Sequence, residues 1–311
     1  MFEIEKYTPD LATPWNKFVA ASKNGTFLFD RDYMDYHADR FRDFSLMIYR
    51  CDKLYALLPG NVEGDTFYSH QGLTYGGLIM SGKTTAADVV EMFRLINDTL
   101  RAEGVKTVVY KPVPWIYHEQ PAEEDLYAIT QLGDVRLTRG LSSTVARQDT
   151  NEWYRIRKMG VQKALKAGVI IEETTDFRPF WRVLSHNLQT RYGLKPVHTV
   201  EEMELLHQRF PQHIRLFVAK VETEVIGGCV LYVTNRVVHS QYIAASERGR
   251  VLHALDLLFN KVISMSLTTH DFFDFGISTE NQGTYLNKQL IYQKEGFGAR
   301  GICYDWYKWM L

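Results

Sequence analysis

From residue 44 the chain alternates apolar and polar side chains, and Leu46, Ile48, Leu54, Ala56 and Leu58 fall on one face at a period of two. The stretch FSLMIYRCDKLYALLPGNVEGDTFYSHQGLTYGGLIM, residues 44–80, therefore predicts strand, tight turn, strand, turn, strand. The period then changes. Over residues 84–103, Val89, Val90, Phe93, Ile96 and Leu100 recur near helical spacing, and Gly104 supplies the stop. VKTVVYKPV, residues 105–113, follows as a buried strand. The second half repeats this order. IRLFVAKVETEVIGGCVLYVTNRVVHSQYIAAS, residues 214–246, predicts another meander. Residues 249–267 carry Val251, Leu252, Leu255, Leu258, Phe259, Val262 and Ile263 on one helical stripe, and FFDFGIS, residues 272–278, is the strand after it.

Meander, helix, strand in both halves predicts an α/β fold of the mixed-sheet (α+β) kind. Each half is a mixed β-sheet flanked by helices, because the last strand cannot return beside the meander without a crossover. The join is placed in the polar RQDTNE, near residues 145–152, ahead of the basic helical segment EWYRIRKMGVQKALKAG. Domains of 1–148 and 149–311 result.

Composition narrows the class. The chain has 311 residues, enough for two domains, and its 45% hydrophobic and 13% aromatic content can fill two cores. No apolar run approaches the roughly 20 residues that span a bilayer. The N-terminal MFEIEKYTPD lacks the basic and apolar regions of a signal peptide, and the three cysteines, Cys51, Cys229 and Cys303, are odd in number and scattered. A cytoplasmic protein is expected. The net charge of −1 gives no global attraction to nucleic acid. The histidines show no H-x-x-x-H or Cys/His ligand spacing, so no metal is expected, and the G-x-S-x-G elbow of serine hydrolases is missing.

Two glycine-bearing stretches raise phosphate binding. In SHQGLTYGGLIM, residues 69–80, Gly76 and Gly77 stand too close to Gly82-Lys83-Thr84 for a Walker loop, so they are read as strand bends and sites of close backbone approach. The corresponding point of the second half, Ser246-Glu247-Arg248-Gly249-Arg250, abuts its helix and carries two arginines. Phosphate binding fits better there.

The most specific stretch is NKQLIYQKEGFG, residues 287–298. Its Ile291-Tyr292-Gln293-Lys294-Glu295-Gly296-Phe297 resembles the L-Y-x-K-x-G-F that closes the acyl-CoA domain of GNAT acyltransferases. With YGGL after the first meander and DFGIS before the last helix, the order of motifs is similar to the tandem-GNAT group that includes FemABX peptidyltransferase-like proteins. The resemblance implies an N-acyltransferase that moves an acyl group, typically acetyl, from acyl-CoA as co-substrate to an amine on a small molecule, peptide or sugar held between the two domains. It makes Tyr292 the general acid; for the base the sequence itself offers Glu280, or Asp274 in the preceding strand, with deprotonation through water as the alternative to both. It puts the cofactor against Tyr242, Ala244, Arg248, Gly249, Arg250 and Asn287. Of the family's [QR]-x-x-G-x-[GA], only the central glycine, Gly249, is matched. On the acceptor side stand Tyr75 and, in the stiff proline-rich loop after residue 110, Tyr117 and His118. Two alternatives stay open: FemABX-like aminoacyl transfer with tRNA as partner, and a binding protein of this fold that has lost catalysis.

Overall fold

A computed structural model of the chain describes residues 1–149 and 151–311. Thr150, inside the stretch read as the join, lies outside the described residues. The chain divides into two compact units, one of residues 1–140 with 303–311, the other of residues 141–302. The boundaries thus fall at 140/141 and 302/303 instead of at 148/149, and the last strand belongs with the first unit.

Unit 1 begins with β1 (Phe2–Lys6), α1 (Ala12–Ala21) and α2 (Arg31–Met34). The predicted meander follows as β2 (Leu46–Arg50), β3 (Lys53–Leu58), β4 (Asn61–Glu63), β5 (Thr66–Tyr68) and β6 (Ile79–Met80), then α3 (Ala86–Ala102), β7 (Thr107–Tyr110) and α4 (Glu124–Thr130). One antiparallel sheet has the order β1-β2-β3-β6. Beside it β5 pairs in parallel with β7, so the strand after the helix returns by a crossover, as the pattern required. Helix α3 starts at a capping box in which Thr85 and Asp88 satisfy each other's backbone N–H, and it buries Val89, Phe93, Ile96 and Leu100. Gly76 is a close-approach position: a Cβ there would lie 1.6 Å from the Ser69 carbonyl oxygen.

The core of unit 1 holds a buried acid. Tyr110 donates a 2.6 Å hydrogen bond to Asp125, and its own hydroxyl accepts from the Leu78 N–H at 2.7 Å. Burial pushes the Asp125 carboxyl up to about 7 despite that donated bond. A carboxyl whose folded pKa exceeds its unfolded one stabilises the fold fully below about pH 4, and the contribution is lost as pH rises through 7. Melting temperature is therefore expected to fall between pH 4 and 7, and Asp125→Asn is expected to flatten that slope in a pH series of thermal melts.

After β8 (Val135–Ala146), unit 2 comprises α5 (Arg155–Lys166), β9 (Ile170–Thr174), α6 (Arg178–Tyr192), α7 (Val200–Arg209), β10 (Ile214–Val221), β11 (Glu224–Val233), β12 (Val237–Ala245), α8 (Glu247–Val251), α9 (Ala254–Thr269), β13 (Phe272–Ile277), β14 (Thr279–Glu280), β15 (Tyr285–Leu286) and α10 (Lys288–Glu295). β16 (Arg300–Met310) ends the chain, and its last residues pair with β7 of unit 1. The unit 2 sheet runs β8-β13-β12-β11-β10-β9, antiparallel except where β12 meets β13. The single helix predicted over 249–267 is two helices: His253 adopts a left-handed conformation (φ 56°) between α8 and α9 and breaks the axis. Among the described residues, no helix is long and apolar enough to cross a membrane.

Candidate active site

The site arises where two parallel strands part. β12 and β13 pair through Val237–Phe272, Val238–Phe273 and His239–Asp274, after which β12 runs on to Ala245 without a partner on that side. On the other side of β12 the register slips between Val230 and Leu231, leaving Gln241 as the extra residue of a bulge. The bulge bends β12 away from β13. A V opens from the His239–Asp274 vertex.

A cavity of about 450 Å³ occupies this opening. Ile243, Ala244 and Ala245 form one wall; Leu290, Gln293 and Lys294 of α10 form the opposite one; Phe259, Phe275 and Phe297 make the floor. The three phenylalanines pack against one another with ring centroids 4.9–5.7 Å apart, which fixes an apolar bed. Gly249, Arg250 and His253 border the cavity at the helix break, and Asn187, Leu188 and Arg191 of α6 complete it. Arg250 donates to the Ala245 carbonyl at 3.0 Å, while Arg191 is exposed and has no ion pair among the described residues. Both arginines also border a smaller adjoining cleft. Arg157 and His253 also line the cavity, and both contact the buried Asp256, at 2.9 and 3.0 Å.

Lys294 lines the cavity and is itself buried; its ammonium donates to the carbonyls of Gly276 (2.7 Å) and Ile277 (2.9 Å). Burial drives its pKa down to about 8, against the pull of Asp274.

The residues singled out in the sequence are dispersed. Ala244, Gly249 and Arg250 line the cavity. Arg248 is half exposed and pairs with Glu224. The Tyr242 ring stacks edge-on to Trp181 and its hydroxyl meets His198 Nδ1 at 2.5 Å, on the side of the sheet that carries α6; burial pushes it up to about 12. Asn287 caps α10 through the Leu290 N–H and donates to Glu280 at 2.8 Å. Tyr292 is 53% exposed, lies 5.2 Å from the Tyr154 ring, and is not among the residues lining the cavity. In unit 1, Tyr75, Tyr117 and His118 are buried: Tyr75 bonds Thr26, Tyr117 bonds Tyr304 at 3.0 Å, and His118 bonds the Val113 carbonyl at 2.8 Å. Arg191 was not singled out, because it is one cation in the last turn of an unremarked helix and only the fold carries it to the cavity.

Residues 147–285 match the family model for the acetyltransferase (GNAT) domain. That match covers the V and the helix break. The match falls within unit 2 and spans most of it. Over the whole chain the architecture is the tandem, FemX-like one. A crystal structure of FemX superposes with a TM-score of 0.67 at 11% identity, covering 97% of this chain and 96% of that one. L-PGS from Bacillus licheniformis gives 0.61 at 15% identity over 97% and 92%. A tandem GNAT protein from the clavulanic acid biosynthesis pathway gives 0.54 at 12% identity over 100% and 98%. No curated protein sequence matches the chain. At these identities the solved structures establish the fold, and the expectation of a mixed-sheet, tandem GNAT architecture holds.

Proposed function

We propose that the GNAT domain transfers an acyl group from an acyl-CoA to an amine. The observation that carries this reading is the cavity: an open strand edge, Ser240 to Ala245, above a floor of three phenylalanines, with two guanidiniums at one end. An acyl-pantetheine arm is an extended chain with two amides and apolar segments. It can hydrogen-bond the open edge of β12 as an added strand would, while its phosphates meet Arg191 and Arg250. Gly249 lets α8 press onto β11, which keeps Arg250 at the end of the V.

In the reaction the amine nitrogen attacks the thioester carbonyl, the C–N bond forms and the C–S bond breaks. A β12 backbone N–H between Gln241 and Ala245 is assigned to the developing oxyanion. The thiolate takes its proton from α10, which presents Tyr292, the acid implied by the motif, and Lys294, whose ammonium borders the cavity. A second reading keeps the site and changes the donor to an aminoacyl-tRNA; the FemX-like architecture and the exposed Arg191 favour it.

Titration calorimetry with acetyl-CoA and longer acyl-CoAs tests the first reading. Micromolar binding is expected. Heat only with aminoacyl-tRNA would transfer the site to the second reading.

A further inference from the structure

Asp274 is wholly buried in β13. Burial alone would favour its neutral form, yet hydrogen bonds from His239, Ser142 and Thr144 hold the carboxyl below the usual range. Oδ1 accepts from Ser142 Oγ at 2.5 Å and Thr144 Oγ1 at 2.7 Å; Oδ2 faces His239 Nδ1 at 2.7 Å and the Gly276 N–H at 3.3 Å. A carboxylate so surrounded requires the imidazole proton on Nδ1. In the neutral ring the lone pair is then on Nε2.

His239 Nε2 makes no hydrogen bond to any described residue, and the side chain keeps 10% of its surface open. Its ring edge faces Gly276, where a Cβ would come within 3.3 Å of Cε1 and 3.8 Å of Nε2; glycine leaves that approach clear. A dyad that served only to hold the sheet together would have no use for an unspent lone pair.

Its position carries the inference. His239 and Asp274 are the last residues paired before the V opens. Side chains alternate along a strand, and Val238, Phe273 and Phe275 point into the apolar cluster under α9. His239 and Asp274 therefore face the opposite side of the sheet, toward α6. A donor lying on the phenylalanine floor and an amine arriving on the His239 side would meet at the vertex from opposite faces.

We propose that His239 is the general base of the acyl transfer and Asp274 its positioning residue, an inference that rests on the acyl-transfer reading. The neutral amine attacks the thioester carbon. As the C–N bond forms and the C–S bond breaks, the surplus proton on nitrogen passes to Nε2, the thiolate is protonated, and the imidazolium later returns its proton to water. The Nδ1–H···Asp274 bond strengthens as the ring becomes cationic.

The test compares His239→Gln, Asp274→Asn and His239→Ala with the wild type, measuring kcat by thiol release and donor affinity by calorimetry. His239→Gln is expected to lower kcat about 100-fold or more at unchanged donor affinity. Asp274→Asn is expected to lower kcat through the wrong tautomer, and added imidazole is expected to restore part of the rate to His239→Ala. A His239→Gln enzyme with kcat within about threefold of wild type overturns the proposal and leaves the acyl-transfer reading standing. A wild type that binds no acyl donor and transfers to no amine overturns both. Should the variants fail to fold, ¹⁵N shifts of the wild-type imidazole decide: a neutral ring protonated at Nδ1 is expected, and one protonated at Nε2 overturns the proposal.

Discussion

Replacing Arg191 and Arg250 together by alanine is expected to weaken acyl-CoA binding about 100-fold. These two cations share both the cavity and its adjoining cleft, and neither is committed to a carboxylate among the described residues. A charge-assisted hydrogen bond to phosphate contributes on the order of 1.5 kcal/mol even where solvent reaches it, and two such contacts amount to about 3 kcal/mol. The remaining affinity comes from the arm on β12 and the phenylalanine floor, so binding is weakened and not abolished. Wild-type affinity is expected to fall with added salt, and the double variant to lose most of that dependence. Arg248→Ala is the contrast. Its guanidinium is held by Glu224 and borders neither cavity, and a change below about threefold is expected. Calorimetry of the three proteins at two salt concentrations measures all of this, and equal losses from Arg248→Ala and the double variant would exclude the placement of phosphate at Arg191 and Arg250.

Gly249→Ala is expected to cost both stability and donor binding. A Cβ at residue 249 would lie 2.0 Å from the Ile226 carbonyl oxygen and 3.0 Å from its carbon, with the Ala245 methyl at 3.3 Å. The obstruction is backbone of a central strand, which cannot rotate aside. Helix α8 would have to lift from β11, straining the cap in which Ser246 accepts the Gly249 N–H at 3.0 Å and carrying Arg250 off its bond to Ala245. Overpacking of this kind costs about 1–3 kcal/mol, a fall of roughly 2–5 °C in melting temperature for a chain of this size. Loss of donor affinity by about tenfold is expected alongside it. Gly82→Ala is the control: a Cβ there meets only the end of the Gln120 side chain at 3.8 Å, and no change is expected. A Gly249→Ala protein that melts and binds like wild type would show that α8 can relax freely, against the role given to Gly249.

Much of the fold was legible in the chain because it is written in local periodicity. Alternation along Leu46 to Leu58 and along 214–246 gave the strands, helical spacing from Val89 to Leu100 gave α3, and the repeated order gave the mixed α/β class. The motif ending in Gly296-Phe297 pointed to the GNAT fold, and Gly76 was read as a point of close backbone approach. These signals are local in sequence, and each needs only its own neighbours to be expressed.

What only the tertiary structure decided depends on which strands part and what crosses the gap. Nothing in 237–245 announces that Gln241 is the bulge, since a bulge is a property of the register with β11. The break at His253 interrupts an apolar stripe that reads as continuous; α8 is tied to β11 and α9 to the core, and the chain turns between them. Arg191 reaches the cavity from a helix some 60 residues before Arg250. His239 and Asp274, 35 residues apart, become a dyad only because β12 and β13 lie in register for three pairs before diverging. The sequence by itself determined the elements, their order and the family of folds they build. The pairing of distant strands determined where the arginines and the apolar floor converge, because the free energy that fixes such contacts comes from burial shared among segments that no local window contains.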